Sequence, residues 1–147
     1  MLIKRLDKYT PEVAARFRKL MIDFSRSHKD RGEIPREWFE DVINSPWHDI
    51  IIAEDESNIV IGIAVMSTIM SPDYRKIAYL EGFITDPNVR GKGIGSAIWN
   101  EIITWGKEKG CARLEFTCGH GREVAQQFYK NHGAEIYDTN FFRKDIS

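Results

Sequence analysis

The stretch that decides the fold is "VRGKGIGSAIW", Val89 to Trp99, where glycine occupies three of five consecutive positions. Directly after it, apolar residues recur at three- and four-residue spacing, which predicts an amphipathic helix that starts at Gly93 and ends at Gly110. The apolar residues of this helix are Ile94, Ala97, Ile98, Ile102 and Trp105. Glycine has no side chain, so a glycine-rich loop that opens a helix lets the backbone approach a bound group closely.

The start of this helix is predicted to bind an anion. The first N–H groups of a helix have no partner within the helix, and they carry the positive end of its dipole. Arg90 and Lys92 add positive charge beside the glycines. The glycines could mark only a tight turn, and the two cations could be solvated side chains. Three glycines and an arginine exceed what a turn requires, which favours a pyrophosphate-binding loop.

Three phosphate-binding patterns can be compared with this loop. The P-loop needs Gly-Lys followed by Ser or Thr at a fixed spacing, and the sequence lacks it. The dinucleotide pattern GxGxxG would place Ile98 at its third glycine, although Glu115 follows at the distance of a ribose-binding acid, so this pattern is kept as the weaker alternative. The pattern Arg/Gln-x-x-Gly-x-Gly/Ala fits best, with Arg90, Gly93 and Gly95.

The chain as a whole predicts a single α/β domain over residues 1–147 with the element order β-α-α-β-β-β-α-β-α-β-β. Further helices are predicted over 10–28, with Thr10 as N-cap, and over 34–45 and 122–133. Strands are predicted at "LIKRL" (2–6), "DIIIAED" (49–55), "IVIGIAVMSTIM" (59–70), "KIAYLEGFIT" (76–85), "CARLEFTC" (111–118), "AEIY" (134–137) and "FFRKDI" (141–146). The second and third of these strands are expected to form a hairpin, and "CARLEFTC" is expected to be buried.

Composition excludes several classes of protein. The formal net charge of -1 provides no general attraction to nucleic acid or anionic lipid, so neither is expected as a partner. No apolar run is long enough to span a bilayer, and the first residues lack the apolar core of a signal peptide, so a cytoplasmic protein is expected. The two cysteines fit reduced thiols, and the histidine spacing predicts no metal site.

The second half of the sequence resembles a known family. Strand, "DPNVRGKGIGSA", amphipathic helix, strand and "AQQFYKNHGAEI" are similar to the acetyl-CoA-binding segment of the GCN5-related N-acetyltransferase (GNAT) family. The resemblance runs from about Ile77 to the C-terminus. It implies a mixed, mostly antiparallel central sheet flanked by helices. Within the family, the motifs look most like those of diamine and other small-amine acetyltransferases, with the aminoglycoside 6'-type enzymes also close.

The resemblance implies transfer of an acetyl group from acetyl-CoA to a primary amine. Phe83, Ile84 and Thr85 would pair their backbone with the pantetheine arm, which requires their strand to diverge from "RLEFTC". Gly82 is a suitable place for a β-bulge in that strand. The pyrophosphate would be held beside Arg90 by the backbone N–H groups of Gly91, Lys92, Gly93, Ile94, Gly95 and Ser96.

Two residues are implied as catalytic groups by their family positions. Glu81 would be the general base for the amine, and Tyr129 in "QFYKNHG" would protonate the departing CoA thiolate. Each has a structural alternative. Glu81 could pair with a cation across the sheet, and strict alternation would put it on one face with Tyr79 and Phe83. Tyr129 could be an ordinary apolar-face residue of its helix.

One position departs from the family pattern. Arg122 stands where many members have an asparagine that contacts the cofactor or orders the loop before the last helix. Arg122 could instead approach a phosphate.

The acceptor is expected to be a small cationic amine, with a peptide or protein amine as the alternative. Five acidic residues occur where this fold often shapes its acceptor pocket, although interleaved cations could make the segment a solvated face. These residues are Asp30, Glu33, Glu37, Glu40 and Asp41. A non-catalytic acyl-CoA-binding regulatory module is the alternative from another class, but it would need neither Glu81 nor Tyr129. The family resemblance also implies a homodimer.

Overall fold

A five-stranded sheet in the order β1-β2-β3-β4-β5 forms the centre of the computed structural model, which describes residues 1–24 and 29–147. Strands β1 to β4 pair antiparallel with their neighbours, and β5 runs parallel to β4. The strands are β1 (Leu2–Arg5), β2 (His48–Glu54), β3 (Val60–Met70), β4 (Lys76–Thr85) and β5 (Cys111–Glu115). The mixed, mostly antiparallel fold class and the predicted hairpin of β2 and β3 are therefore confirmed.

Within residues 1–24 and 29–147, four α-helices accompany the sheet: α1 (Pro11–Phe24), α2 (Arg36–Asn44), α3 (Ile94–Glu108) and α4 (Glu123–Asn131). The Val13 N–H donates to the Thr10 hydroxyl at 3.2 Å, which confirms the predicted N-cap of α1. The predicted continuation of α1 over residues 25–28 lies outside the described residues. At the C-terminal end of α3, Gly110 adopts a φ of 74°, as expected for a glycine that ends a helix.

Helices cover both faces of the sheet, and each face has its own apolar core. On one face, Phe17 and Leu20 of α1 and Phe39 of α2 pack against strand residues that include Ile50 and Ile52. We call this the α1/α2 face. On the other, the α3 face, the helix packs against alternate strand positions. The buried residues of α3 in this core are Ile94, Ile98, Ile102 and Trp105, all of which were predicted.

Gly62 of β3 sets how closely α3 approaches the sheet. A Cβ atom at this position would lie 2.6 Å from Ile98 Cδ1 and 3.3 Å from Ile94 Cγ2. Both contacts are shorter than carbon atoms tolerate without movement. Because Gly62 has no side chain, the first half of α3 can lie close against β3. The glycine loop that precedes α3 is positioned by the same contact.

Two features of the C-terminal part differ from the sequence prediction. Residues 134–147 carry neither helix nor strand, so the predicted strands at "AEIY" and "FFRKDI" are not formed. Strand β5 ends at Glu115, three residues earlier than predicted, and it is partly exposed, not buried. It is an edge strand that pairs only with β4, which explains its exposure.

Contacts group the chain into two compact units, Met1–Phe116 and Thr117–Ser147. The first unit contains the sheet and helices α1 to α3, and the second contains α4. The single domain over residues 1–147 stays a prediction. Among the described residues, no helix has the length and apolar character needed to cross a membrane.

Candidate active site

Strands β4 and β5 separate halfway along β4. Their register pairs Lys76 with Cys111 and Tyr79 with Glu115, where β5 ends. Strand β4 continues to Thr85, and beyond Tyr79 its ladder is with β3. This is the divergence that an extended ligand would need in order to lie along β4 as an additional strand.

The backbone groups of β4 alternate between β3 and the side that β5 has left. The Asp86 N–H donates to the Ile61 carbonyl at 2.8 Å, which identifies these residues as a hydrogen-bonded pair. Ile84, two residues before Asp86, forms the same kind of hydrogen-bonded pair with Ile63. The N–H and C=O groups of Ile84 therefore face β3. Phe83 and Thr85 therefore direct theirs toward the side of β5. Of the three residues predicted to pair with pantetheine, these two have the required orientation.

A β-bulge lies at Glu81. Gly82 pairs with Val65 and Leu80 pairs with Met66, so Glu81 is the extra residue of β4. The bulge is adjacent to Gly82, where the sequence favoured one. It breaks the side-chain alternation, because Leu80 and Phe83 both pack on the α3 face. Tyr79, next to Leu80, therefore faces away from Phe83, and the expectation that Tyr79, Glu81 and Phe83 share one face is wrong.

The bulge leaves the Glu81 side chain exposed. Among the described residues, no hydrogen bond or ion pair engages its carboxylate, so the structural alternative of a cross-strand ion pair is not realised. A solvated carboxylate at the point where two strands part can pair with an ammonium group and accept its proton.

The glycine loop has a backbone conformation that requires glycine at two of its positions. Gly91 and Gly93 have φ values of 83° and 76°, which only glycine adopts at little cost. A Cβ atom at either position would meet nothing within 4 Å, so the space above the loop is open. Helix α3 begins at Ile94 without a side-chain cap, and its first internal hydrogen bond runs from the Ala97 N–H to the Gly93 carbonyl at 3.0 Å.

These features leave the positive end of α3 directed into open space, as an anion site requires. Gly95 and Ser96 lie in the first turn of the helix. The side chains of Arg90 and Lys92 are exposed, and within the described residues neither takes part in an ion pair. The loop therefore offers backbone donors together with two solvated cations.

Asp86 connects the start of this loop to α1 and β3 of the first unit through hydrogen bonds. Its carboxylate accepts the Asn88 N–H at 2.9 Å and the Arg16 guanidinium at 2.9 Å. Arg16 also donates to the Val60 carbonyl at 2.9 Å, which connects α1, β3 and the loop. The hydrogen bond from Asn88, with a smaller effect of Arg16, lowers the pKa of Asp86. Sequence reasoning missed this pair, because Arg16 is 70 residues away from Asp86.

Tyr129 lies in the last turns of α4, in the second unit. Its side chain is half-buried, and its ring packs edge-on against Phe128 at a centroid distance of 5.7 Å. Burial raises the pKa of Tyr129 to about 12, with a smaller contribution from Cys118 in the same direction. The phenol is therefore protonated at neutral pH, as a proton donor must be.

The acidic residues expected at the acceptor pocket divide into two groups. Asp30 accepts two hydrogen bonds from Arg18, at 2.9 and 2.6 Å, and Glu40 accepts one from Arg36 at 2.7 Å. The other three, Glu33, Glu37 and Asp41, are exposed and have no ion pair among the described residues. Arginines thus neutralise part of the negative charge that the sequence suggested.

The dinucleotide-binding alternative does not agree with the fold. It requires a doubly wound parallel sheet, whereas β4 and β5 are the only parallel pair among the strands of the described residues. Glu115, its candidate ribose ligand, is hydrogen-bonded to Arg113 at 2.7 Å. In the part of the chain that the structure describes, no group of three His, Cys, Asp or Glu side chains is arranged to hold a metal ion.

The site thus combines diverging parallel strands, a bulge at the divergence and a glycine loop at the start of the next helix. The model of the Acetyltransferase (GNAT) family matches residues 14–134, and the chain belongs to that family. This confirms the family resemblance and, at the level of the family, the prediction of an N-acetyltransferase.

Similar proteins agree with this assignment. An uncharacterized N-acetyltransferase of Methanocaldococcus jannaschii is 36% identical over 61 residues, which is 42% of this chain and 27% of that protein. The matched part thus spans about a quarter of the relative's length.

Solved structures share the fold at low sequence identity. A tetramutant of the BH1408 protein from Bacillus halodurans has a TM-score of 0.83 and 19% identity, covering 98% of this chain and 99% of its own. The aminoglycoside N-acetyltransferase AAC(6')-Iy in complex with CoA has a TM-score of 0.80 and 19% identity, covering 99% and 95%. An aminoglycoside acetyltransferase from an uncultured soil metagenomic sample, in complex with sisomicin, has a TM-score of 0.81 and 18% identity, covering 97% and 95%.

Proposed function

We propose that this protein transfers the acetyl group of acetyl-CoA to the primary amine of a small cationic molecule. The observation that carries the proposal is the separation of β4 from β5 beside an open glycine loop at the start of α3. These two features lie at the same end of the sheet, since the loop follows β4 directly. Together they provide a strand edge for pantetheine and a positive helix end for pyrophosphate.

The cosubstrate site consists of two stretches of backbone. Phe83 and Thr85 pair with the amide groups of the pantetheine arm, with Ile84 between them. The pyrophosphate accepts hydrogen bonds from the N–H groups of residues 91–96, and Arg90 and Lys92 supply charge. The CoA bound to a structural neighbour of this chain supports the assignment.

The proposed reaction is a direct attack. Glu81 takes a proton from the ammonium group, either directly or through water, and the amine nitrogen then attacks the thioester carbonyl. When the tetrahedral intermediate collapses, the C–S bond breaks and Tyr129 gives its proton to the CoA thiolate. The second proton that the nitrogen loses on forming the amide returns through water to the Tyr129 phenolate. The exposed Glu81 carboxylate and the raised pKa of Tyr129 suit these roles.

The acceptor is proposed to be a polyamine-, lysine- or aminoglycoside-like amine. The fold is shared with two aminoglycoside acetyltransferases, and Glu33, Glu37 and Asp41 provide solvated negative charge in the first unit. The homodimer and the cytoplasmic location stay predictions.

The test is the release of CoA thiol from acetyl-CoA with a panel of amines, for the wild type and two variants. Because general acid–base groups contribute roughly 10²- to 10⁴-fold, Tyr129→Phe and Glu81→Gln are each expected to lower kcat by about 10²-fold or more. The matched controls are Tyr137→Phe and Glu56→Gln, which change exposed residues and are expected to retain wild-type rates. Tight CoA binding without turnover would favour a regulatory acyl-CoA-binding module instead.

A further inference from the structure

A row of polar side chains crosses the sheet next to the bulge. The register aligns His48 of β2 with Ser67 of β3, Ser67 with Tyr79 of β4, and Tyr79 with Glu115 of β5. Side chains of directly paired residues lie on one face with their Cβ atoms about 5 Å apart. We call these four residues the polar row. Glu81, the proposed base, is two residues beyond its Tyr79.

The polar row lies on the α1/α2 face. Residues next to its members belong to the α3 face, since Asp49 accepts a hydrogen bond from Trp105 at 2.6 Å, and Met66 and Leu80 are in the α3 core. Side chains alternate along each strand, so the polar row must point to the opposite face. The helices do not bury it: His48, Ser67 and Tyr79 are half-buried, and Glu115 is exposed.

The hydrogen-bonding groups of the row are largely uncommitted. Among the described residues, neither the Ser67 nor the Tyr79 hydroxyl has a partner. His48 uses Nδ1 with the Ser45 hydroxyl at 2.7 Å, which leaves Nε2 available. Glu115 binds Arg113 through one carboxylate oxygen. Half-buried polar groups normally find partners in protein, water or ligand, so the row offers several positions for a bound molecule.

We propose that the polar row binds the body of the acceptor and selects amines that carry hydroxyl groups, such as amino sugars, over plain alkyl amines. The inference rests on the proposed function, because Glu81 defines where the reacting amine lies. With strands about 4.8 Å apart, the three intervals of the row span about 14 Å, enough for a two-ring amino sugar. A plain alkyl diamine has no hydroxyl groups, and the methylene chain between its two ammonium groups cannot form hydrogen bonds with the Ser67 and Tyr79 hydroxyls.

The test compares two acceptors, the two-ring aminoglycoside neamine and 1,5-diaminopentane, in three variants. Tyr79→Phe and Ser67→Ala each remove one hydroxyl, and each is expected to raise the KM for neamine about threefold to tenfold. The KM for acetyl-CoA and the KM for 1,5-diaminopentane should stay within twofold of the wild type. The matched control is Tyr74→Phe, because Tyr74 is fully exposed at the β3–β4 turn; it should change none of these values.

An equal rise of KM for both amines, or no rise for neamine, would overturn the inference while leaving the acetyltransferase intact. If the wild type shows no turnover with any amine, the proposed function fails, and neamine binding measured by calorimetry then decides about the row. Weaker neamine binding in Tyr79→Phe than in Tyr74→Phe would still support it. No binding to the wild type would overturn it.

Discussion

At the scale of single residues, Tyr129 is tuned to keep its proton. Its raised pKa comes from burial, which disfavours the charged phenolate more than the neutral phenol. The folded pKa lies above the value of about 10 for an unfolded chain. The stability that this difference contributes is therefore complete below pH 10 and is lost as the pH rises from 10 through about 12.

This leads to a titration experiment on the chain's five tyrosines. Absorbance of tyrosinate is expected to show one tyrosine ionising near pH 12, because burial raises the pKa of Tyr129 to about 12. The late step should disappear in Tyr129→Phe and persist in Tyr137→Phe. A tyrosinate titration without a step near pH 12 in the wild type would contradict the assignment.

The residue types at the site could be predicted from the sequence, but some of their surroundings could not. The glycine positions followed from a local motif, and the two candidate catalytic residues followed from the family resemblance. The exposure of Glu81 could not be predicted from the sequence, because it depends on which residue of β4 is left out of the pairing with β3. The Arg16–Asp86 pair and the polar row were missed for the same reason: strand register and long-range contacts are not encoded in neighbouring residues.

At the scale of elements, the two ends of α3 provide a matched pair of glycines. Gly93 and Gly110 have φ values of 76° and 74°, and a Cβ atom at either would meet nothing within 4 Å. Alanine at each position should therefore cost a similar strain, about 1–2 kcal/mol. Only Gly93 lies in the proposed pyrophosphate site.

Gly93→Ala is accordingly expected to weaken CoA binding about tenfold or more, because the first N–H groups of α3 would be displaced from the phosphate oxygens. Gly110→Ala should lower the free energy of unfolding by about as much as Gly93→Ala does. It should leave the Kd for CoA unchanged. Calorimetric titration with CoA, together with urea unfolding, measures both. Equal CoA affinity in the two variants would place the pyrophosphate elsewhere.

The contact between β3 and α3 depends on the small size of Gly62. Gly62→Val is expected to destabilise the protein by about 1–3 kcal/mol, because the new side chain would overlap the buried Ile98 and Ile94 side chains. Gly106→Ala in α3 is the control, since its Cβ would lie at an ordinary 3.7 Å from Ala78. Urea midpoints that are the same for the two variants would contradict the close approach of α3.

At the scale of the whole molecule, the order of elements through α4 followed from hydrophobic periodicity and glycine or proline boundaries. The two predicted closing strands did not form, although residues 134–147 contain several apolar side chains. A strand needs a partner, and the second unit offers these residues only α4. These side chains remain exposed: Ile136, Tyr137, Phe141, Phe142 and Ile146.

At the scale of the whole molecule, the proposed reaction requires that one amine gains one acetyl group for each acetyl-CoA consumed. Any hydrolysis of acetyl-CoA without an acceptor would release the thiol but leave the amine unchanged, so the product itself has to be identified.

The most direct measurement is mass spectrometry of the amine panel after incubation with acetyl-CoA and the purified protein. The account predicts that one or more small cationic amines gain a single acetyl group in amounts equal to the CoA thiol released, and that Tyr129→Phe abolishes most of this product. Release of CoA thiol with every amine recovered unmodified would contradict acetyl transfer to a small amine. So would binding of CoA without formation of either acetylated amine or free CoA thiol.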